Sequence, residues 1–340
     1  MNILHIIRDM NIGGAQSTLL NIVKYLDEDH HWIVTYQIDS FLEQQIKKYS
    51  NAKCYVITDI KKMYGILKTI NYDIVHYHWW PEIAVMYRFF SSENKPIILT
   101  LQEQFKPPKY KNIYYVAGSK DNMKYLDDIE DDFKNYIYLG VDPTSIIEKK
   151  EIKIYDTIWV GRVSTLIPTK IPKDLIDVFN TLSVPGKNIK FALYGTGGEK
   201  TIIELRTKKE KYPEMHLVID TDKYVLDKYQ NLDFFVYWLP EGCTESFGLV
   251  IVEAMLSKVP VIAQRAGAIP EIIQHGYNGY LFDDPSEINQ YLNVLVQDER
   301  RKQVVLNAQR TANERFLAYN MAKKYKELYN ERLKINEIKH

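Results

Sequence analysis

Apolar runs of strand length alternate with amphipathic helical stretches along the whole of this chain. NILHII (2–7) leads into AQSTLLNIVKYL, and HWIVTYQI into a helical stretch at about 41–50. AKCYVI leads into IKKMYGILKTI, and the alternation resumes with DTIWVGRV beyond residue 155. Such a pattern predicts α/β units built on parallel sheets, whose strands are covered on both faces. At 340 residues there is room for two domains of ordinary size. The charged stretch IIEKKEIK (146–153) is the expected crossover between them, so a first domain is placed at 1–148 and a second from 154.

Composition narrows the function classes. Hydrophobic residues make up 46% and charged residues 26%, which describes a globular protein with ample core. A formal net charge of zero argues against a nucleic-acid binder that relies on phosphate neutralisation. Two distant cysteines, Cys54 and Cys243, suggest a reducing compartment and no metal cluster. No apolar run approaches the ~18 residues of a membrane span. MNILHIIRD reads as a first strand rather than a signal peptide, and a cytoplasmic location is expected. Lys47, Lys48, Lys53, Lys61, Lys62 and Lys68 cluster in one region; this is either a solvated face or a weak peripheral contact with anionic lipid.

The segment from Tyr237 to Pro285 holds the sharpest chemistry. Glu245 and Glu253 lie eight residues apart across the start of the apolar helical run FGLVIVEAML. Eight helical residues rise about 12 Å, roughly the distance from the sugar to the ribose of a nucleotide-sugar. Glu253 is flanked by core residues and needs a partner, either a ribose diol or a nearby Lys or Arg. Elsewhere, Gly13-Gly14 follows the first strand and opens a helix, and Gly195, Gly197 and Gly198 follow KFALY in a loop suited to a nucleotide. His76 and His78 share one face of the strand 73–80, but no Cys or acidic partner has metal-site spacing, so no metal is assigned there. Asp220-Thr221-Asp222 is a D-x-D triplet and reads as helix-capping acids in a loop.

TESFGLVIVEAM, followed by PVIAQRAGAIPEII and the GYNGYLF turn, resembles the E-x7-E signature of the retaining GT-B glycosyltransferases of family 4. That resemblance implies two Rossmann-like domains with parallel sheets facing a central cleft. The acceptor side would be 1–148, the nucleotide-sugar domain 154–315, and 316–340 a helix packing back on the first domain. It implies that Glu245 faces the donor sugar and Glu253 binds the ribose, with Ser246, Phe247, Gly248 and Leu249 of the same motif at the donor. Arg162 and Lys170 resemble the family's Arg/Lys pair, with Lys173 as a rival for the second place. A GGA-type loop places Gly14 at the donor and Gly13 at the acceptor, and an H-x-H element makes His78 a catalytic candidate. Gln102 stands where the family has a His; it can bind a hydroxyl on the acceptor side but cannot carry a proton at neutral pH. Further departures are Leu139 for Asn, Gly242 for Ser, Lys258 for Gly and Ala268 for Gly.

Two cations at a strand end and a helix start can neutralise a departing diphosphate, so Arg162 and Lys170 are expected to replace a metal ion. The expected protein is a retaining, metal-independent transferase with no cofactor. It would move a sugar from a nucleotide-sugar, UDP-linked by expectation, to a glycan or lipid-linked acceptor in surface polysaccharide or glycoconjugate synthesis. The rivals are a non-catalytic GT-B subunit that binds sugar for a partner, and a nucleotide-sugar epimerase.

Overall fold

The computed structural model describes residues 1–11, 13–78, 87, 89–102, 104–221 and 227–338. Strands of the first half are β1 (Asn2–Ile6), β2 (Asp9–Met10), β3 (His30–Thr35), β4 (Gln37–Ile38), β5 (Ala52–Val56), β6 (Ile74–His78), β7 (Ile97–Leu101), β8 (Ile113–Ala117) and β9 (Lys134–Tyr136). Seven of them form one parallel sheet in the order β5-β3-β1-β6-β7-β8-β9, while β2 and β4 pair separately. Successive residues of one strand feed opposite faces: Val34 joins a core with Leu4, Ile6 and Tyr77, and Ile33 joins another with Leu19, Val23 and Leu42. That two-sided burial is why these runs lack polar alternation.

Helices Gly14–Tyr25, Ser40–Ile46 and Ile60–Leu67 follow their strands, the last two started by Asp39 and Asp59, whose carboxylates accept first-turn N–H groups. After IYYVAGS the chain forms two short 3-10 turns, Asp121–Leu126 and Asp131–Phe133, rather than a continuous α-helix. The run DDIEDD sets like charges at helical neighbour spacing, which works against a continuous α-helix there. The strand expected over 73–80 ends at His78 within the described residues; Trp79 and Trp80 lie outside them.

The chain divides into two compact units, Met1–Asp142 with Leu317–His340, and Pro143–Phe316. The division thus falls ahead of the charged stretch 146–153. Within that stretch Lys149 belongs to the second unit, donating its backbone N–H to Ser257 and its ammonium to Asp233. The helix Ala318–Ile338 belongs to the first unit. Ala318 N–H donates to the Val141 carbonyl at 2.9 Å, and a Cβ on Gly140 would sit 2.6 Å from the Ala318 Cα, so only glycine allows this crossing.

The second unit contains β10 (Thr157–Val163), β11 (Asn188–Tyr194), β12 (Leu217–Asp220), β13 (Phe234–Tyr237), β14 (Val261–Gln264) and β15 (Tyr280–Phe282). They form a parallel sheet in the order β12-β11-β10-β13-β14-β15. Among the described residues its helices are Leu175–Thr181, Glu199–Lys209, Leu249–Leu256, Ile269–Ile272, Ile288–Leu295 and Asp298–Arg315. Beyond the loop that carries Lys170 the next helix begins at Leu175. Pro172 has no N–H to continue a helical ladder, and the preceding residues close a tight turn with Ile171 N–H on the Ile167 carbonyl.

Lys258, one of the departures from the family pattern, adopts φ 64°. It follows the helix Leu249–Leu256 in a Schellman arrangement: Val259 N–H donates to the Ala254 carbonyl and Lys258 N–H to that of Met255. The left-handed conformation costs an L-residue roughly 1–2 kcal/mol. Glycine would give back roughly 0.5–1 kcal/mol in chain entropy. The Lys258–Glu148 ion pair is partly exposed and contributes only a few tenths of a kcal/mol, by the usual magnitude of such pairs. Lys258→Gly is therefore expected to raise the denaturant midpoint of the second unit, and Lys258→Ala, which keeps the strain, is not. Equal midpoints for wild type and the glycine variant would refute this.

Candidate functional site

In the second unit the loops leaving the carboxyl ends of β10 and β13 converge on Arg162, the penultimate residue of β10 and fully enclosed. A buried guanidinium must have its hydrogens accepted. Its Nε donates to Ser164 Oγ at 2.9 Å, and its terminal nitrogens donate to the backbone carbonyls of Trp238 and Lys170. The guanidinium also lies over the Tyr237 ring, 4.3 Å from its centre. One side chain thus ties together two strand ends and the loop that carries Lys170.

That loop delivers the Lys170 ammonium to Glu245, with Nζ donating to Oε2 at 2.8 Å. The Tyr237 hydroxyl donates to the same oxygen at 2.6 Å. Burial, with Glu245 beside it, holds the Tyr237 hydroxyl far above its ordinary pKa, so it remains a donor. Glu245 is 7% exposed, whereas the Lys170 side chain is 33% exposed. Of the two cations expected at the phosphates, Lys170 is therefore the more exposed, and the enclosed Arg162 holds the Lys170 backbone carbonyl. Lys173 is exposed on the surface and makes no contact with Glu245.

The Tyr229 hydroxyl donates to Glu253 Oε2 at 2.7 Å, in place of the nearby Lys or Arg that the sequence allowed. Desolvation raises the Glu253 carboxyl above the usual carboxylate range, opposed in part by that bond. Tyr229 and Tyr237, one before β13 and one ending it, each hold one acid of the E-x7-E motif. Sequence reading passed over both, and the single clue was their position beside the last strand before the motif. Within the motif, Gly248 adopts φ 103° and precedes the helix Leu249–Leu256, whose first N–H groups point toward the loop. Leu249 opens that helix and Ser246 is partly exposed, but Phe247 is buried edge-on against Phe316 and serves the core. Gly195 and Gly197 also have packing reasons to be glycine, since a Cβ would fall 2.0 Å from the Ser164 carbonyl oxygen and 2.3 Å from that of Leu166. They let the loops after β10 and β11 meet. Asp220 of the D-x-D triplet pairs with Lys228 at 3.0 Å, and Asp222 lies outside the described residues.

In the first unit Gly13 caps and Gly14 opens the helix Gly14–Tyr25. His78 ends β6 and is fully buried, its Nε2 2.9 Å from His5 Nδ1. Spacing within 73–80 offers His76 and His78 no third ligand, yet β1 supplies His5, and nitrogens of the three rings lie within 4.8 Å of one another. Hydrogen bonds occupy both nitrogens of His5 and of His76 and Nε2 of His78, with His76 bonding Tyr329 Oη at 2.6 Å and Thr100 Oγ1 at 2.7 Å. Gln102 follows β7 with both amide atoms buried and unpartnered among the described residues. Part of the lysine cluster is engaged locally, Lys47 with Glu43, Lys48 with Gln45, and Lys53 over the Trp32 and Tyr55 rings. No helix among the described residues is long and apolar enough to cross a membrane.

The raised pKa of Glu253 makes stability depend on pH in a definite sense. The folded state holds this proton more tightly than the unfolded chain, so the protonated form's contribution is full below the unfolded carboxyl pKa. It is lost as pH rises through the raised folded value. Glu253→Gln, which keeps an acceptor for Tyr229, should be more stable than wild type at pH 8, with the gap closing toward pH 4. A gap that does not change with pH in thermal melts would contradict the assignment.

Residues 145–311 match the family model of Glycosyl transferases group 1. The chain is 26% identical over 325 residues to an uncharacterized glycosyltransferase of Methanocaldococcus jannaschii, covering 86% of this chain and 88% of that protein. It is 28% identical over 196 residues to N-acetyl-alpha-D-glucosaminyl L-malate synthase of Bacillus anthracis, covering 57% of this chain and half the length of that enzyme. In three dimensions it resembles the Anabaena protein HepE solved with UDP and glucose, with a TM-score of 0.83 at 19% identity. That match covers 97% of this chain and 100% of the other.

Proposed function

The chain is a glycosyltransferase of group 1 with two Rossmann-like units of the GT-B fold, and we propose that it transfers a sugar from a UDP-linked donor, with retention at the anomeric carbon and without a metal ion. The acceptor is a hydroxyl of a glycan or lipid-linked glycan. Glu245 is the deciding group. It is a nearly enclosed carboxylate at the carboxyl end of a parallel sheet, fixed on one oxygen by Lys170 and Tyr237. Among the described residues no donor reaches its other oxygen, Oε1, which is left to accept a hydrogen bond from a donor-sugar hydroxyl. Glu253, oriented by Tyr229, takes the ribose diol in the same way. A UDP-linked donor is favoured because UDP-glucose is bound in a solved HepE structure of the same fold.

The diphosphate gains negative charge as the glycosidic bond breaks, and charge placed in advance stabilises it without reorganisation. Lys170 has three N–H donors and spends one on Glu245, leaving the others for phosphate oxygens. Arg162 adds a fixed positive charge beneath, and the helix start after Gly248 adds oriented N–H groups. His78 and Gln102, at the ends of neighbouring strands in the first unit, contact substrate hydroxyls, with Gly13 and Gly14 opening the adjoining helix.

Turnover of a panel of UDP-sugars should survive excess chelator. Chelation that abolishes turnover, with Mn²⁺ or Mg²⁺ restoring it, would return the role to Asp220 and Asp222. Lys170→Ala should lower kcat by about 10²–10³, the usual loss for one group that stabilises developing negative charge. A variant that raises KM and leaves kcat unchanged would place Lys170 outside the transition state. Proton NMR of the first product formed should show the donor's anomeric configuration, and an inverted product would exclude retention.

A further inference from the structure

The rings of His31, His5 and His78 form one chain of hydrogen bonds, and its direction is set at the far end. A carbonyl oxygen can only accept, so His31 Nε2 carries the hydrogen in its 2.9 Å contact with the Leu26 carbonyl. Burial depresses the pKa of all three rings, further lowered at His5 by His31 and His78 and at His78 by His76. Each ring is then neutral, with one N–H and one lone pair. His31 Nδ1 therefore accepts from His5 Nε2–H at 2.9 Å, and His5 Nδ1 accepts from His78 Nε2–H at 2.9 Å. His76 stands outside the sequence, its two nitrogens taken by Tyr329 and Thr100.

The chain ends on His78 Nδ1, which is buried and has no partner among the described residues. On the neighbouring strand Thr100 is the register partner of His78, and Gln102, two residues further on, has an amide equally without partners. Buried polar atoms are rarely left unpaired, so orphan groups at adjacent strand ends point to a ligand that completes them. A neutral lone pair and an amide suit hydroxyl donors, and the lone pair disfavours an anion.

Resting on the assignment of His78 to substrate contact, we infer that His5 and His31 are positioning residues that hold His78 as its Nε2–H tautomer, so that Nδ1 is a fixed acceptor for a hydroxyl of a neutral, sugar-like substrate. The Leu26 carbonyl is the anchor of the whole chain. A proton added to Nδ1 would create a buried cation flanked by other histidines, so His78 recognises a hydroxyl and does not donate a proton to the leaving group.

Long-range proton–nitrogen spectra of the whole chain labelled with ¹⁵N-histidine test this directly, because the two tautomers of a neutral ring give different patterns. His5, His31 and His78 should all carry hydrogen on Nε2; hydrogen on Nδ1 of His78 overturns the inference without any variant. His31→Leu removes the acceptor for His5, and His78 should then populate both tautomers while UDP-sugar turnover falls about five- to tenfold, the effect of one neutral hydrogen bond. His31→Asn, whose Oδ1 replaces Nδ1 as acceptor, should restore the single tautomer. A folded His31→Leu variant with an unchanged His78 signal also overturns it. If the tautomers are as stated but no nucleotide-sugar is turned over, the transfer reading fails and the positioning stands. If turnover is seen with Nδ1 of His78 protonated, the reverse holds.

Discussion

A guanidinium taken fully out of water is tolerated only when its hydrogens are accepted, and the second unit is built around meeting that condition for Arg162. The acceptors are backbone carbonyls and a hydroxyl from separate segments, so satisfying the cation fixes where those segments lie. Lys170 is held by its own carbonyl, Tyr237 by stacking, and Glu245 through both. Losing the arginine would leave the Trp238 and Lys170 carbonyls without their donor and free the loop at once, so Lys170, Tyr237 and Glu245 would all be disturbed together.

The first unit solves a related problem without a buried charge. One side of its central strands carries His5, His31, His76, His78 and Thr100, all enclosed. These are neutral groups that donate and accept, and they satisfy one another, the Leu26 carbonyl and the hydroxyls of Tyr325 and Tyr329. Such a layer is favourable only if complete, because the low dielectric that strengthens each bond also penalises each gap. His78 Nδ1, at the end of that layer, and the nearby Gln102 amide are left without partners among the described residues.

Local order was legible in the sequence wherever it was periodic. The two parallel sheets follow from alternating runs, and the resemblance carried by the segment around TESFGLVIVEAM put Glu245 and Glu253 forward. What spacing does not carry is pairing between distant segments. Tyr237 and Tyr229 look like ordinary core aromatics of a strand region, and nothing near them in sequence reveals that each holds an acid 8 or 24 residues away. His5 sits in a run of aliphatics and gains meaning only when the sheet sets it beside His76. The charged stretch 146–153 carries the same lesson, since nothing near Lys149 in sequence shows that it pairs with Asp233 of the second unit. Phe247 lay inside a functional motif and still went to the core.

The crossing at Gly140 has a consequence for how the molecule comes into being. Because Leu317–His340 completes the unit that begins at Met1, the piece that starts first finishes last. During synthesis the stretch 143–316 has all its strands in hand while the earlier sheet still waits for Tyr325 and Tyr329, with His76 and Thr100 lacking their hydroxyl partners. Domains usually mature from the amino end as they emerge. Here the order is inverted, and the nascent chain must carry an unfinished polar seam until its closing helix arrives.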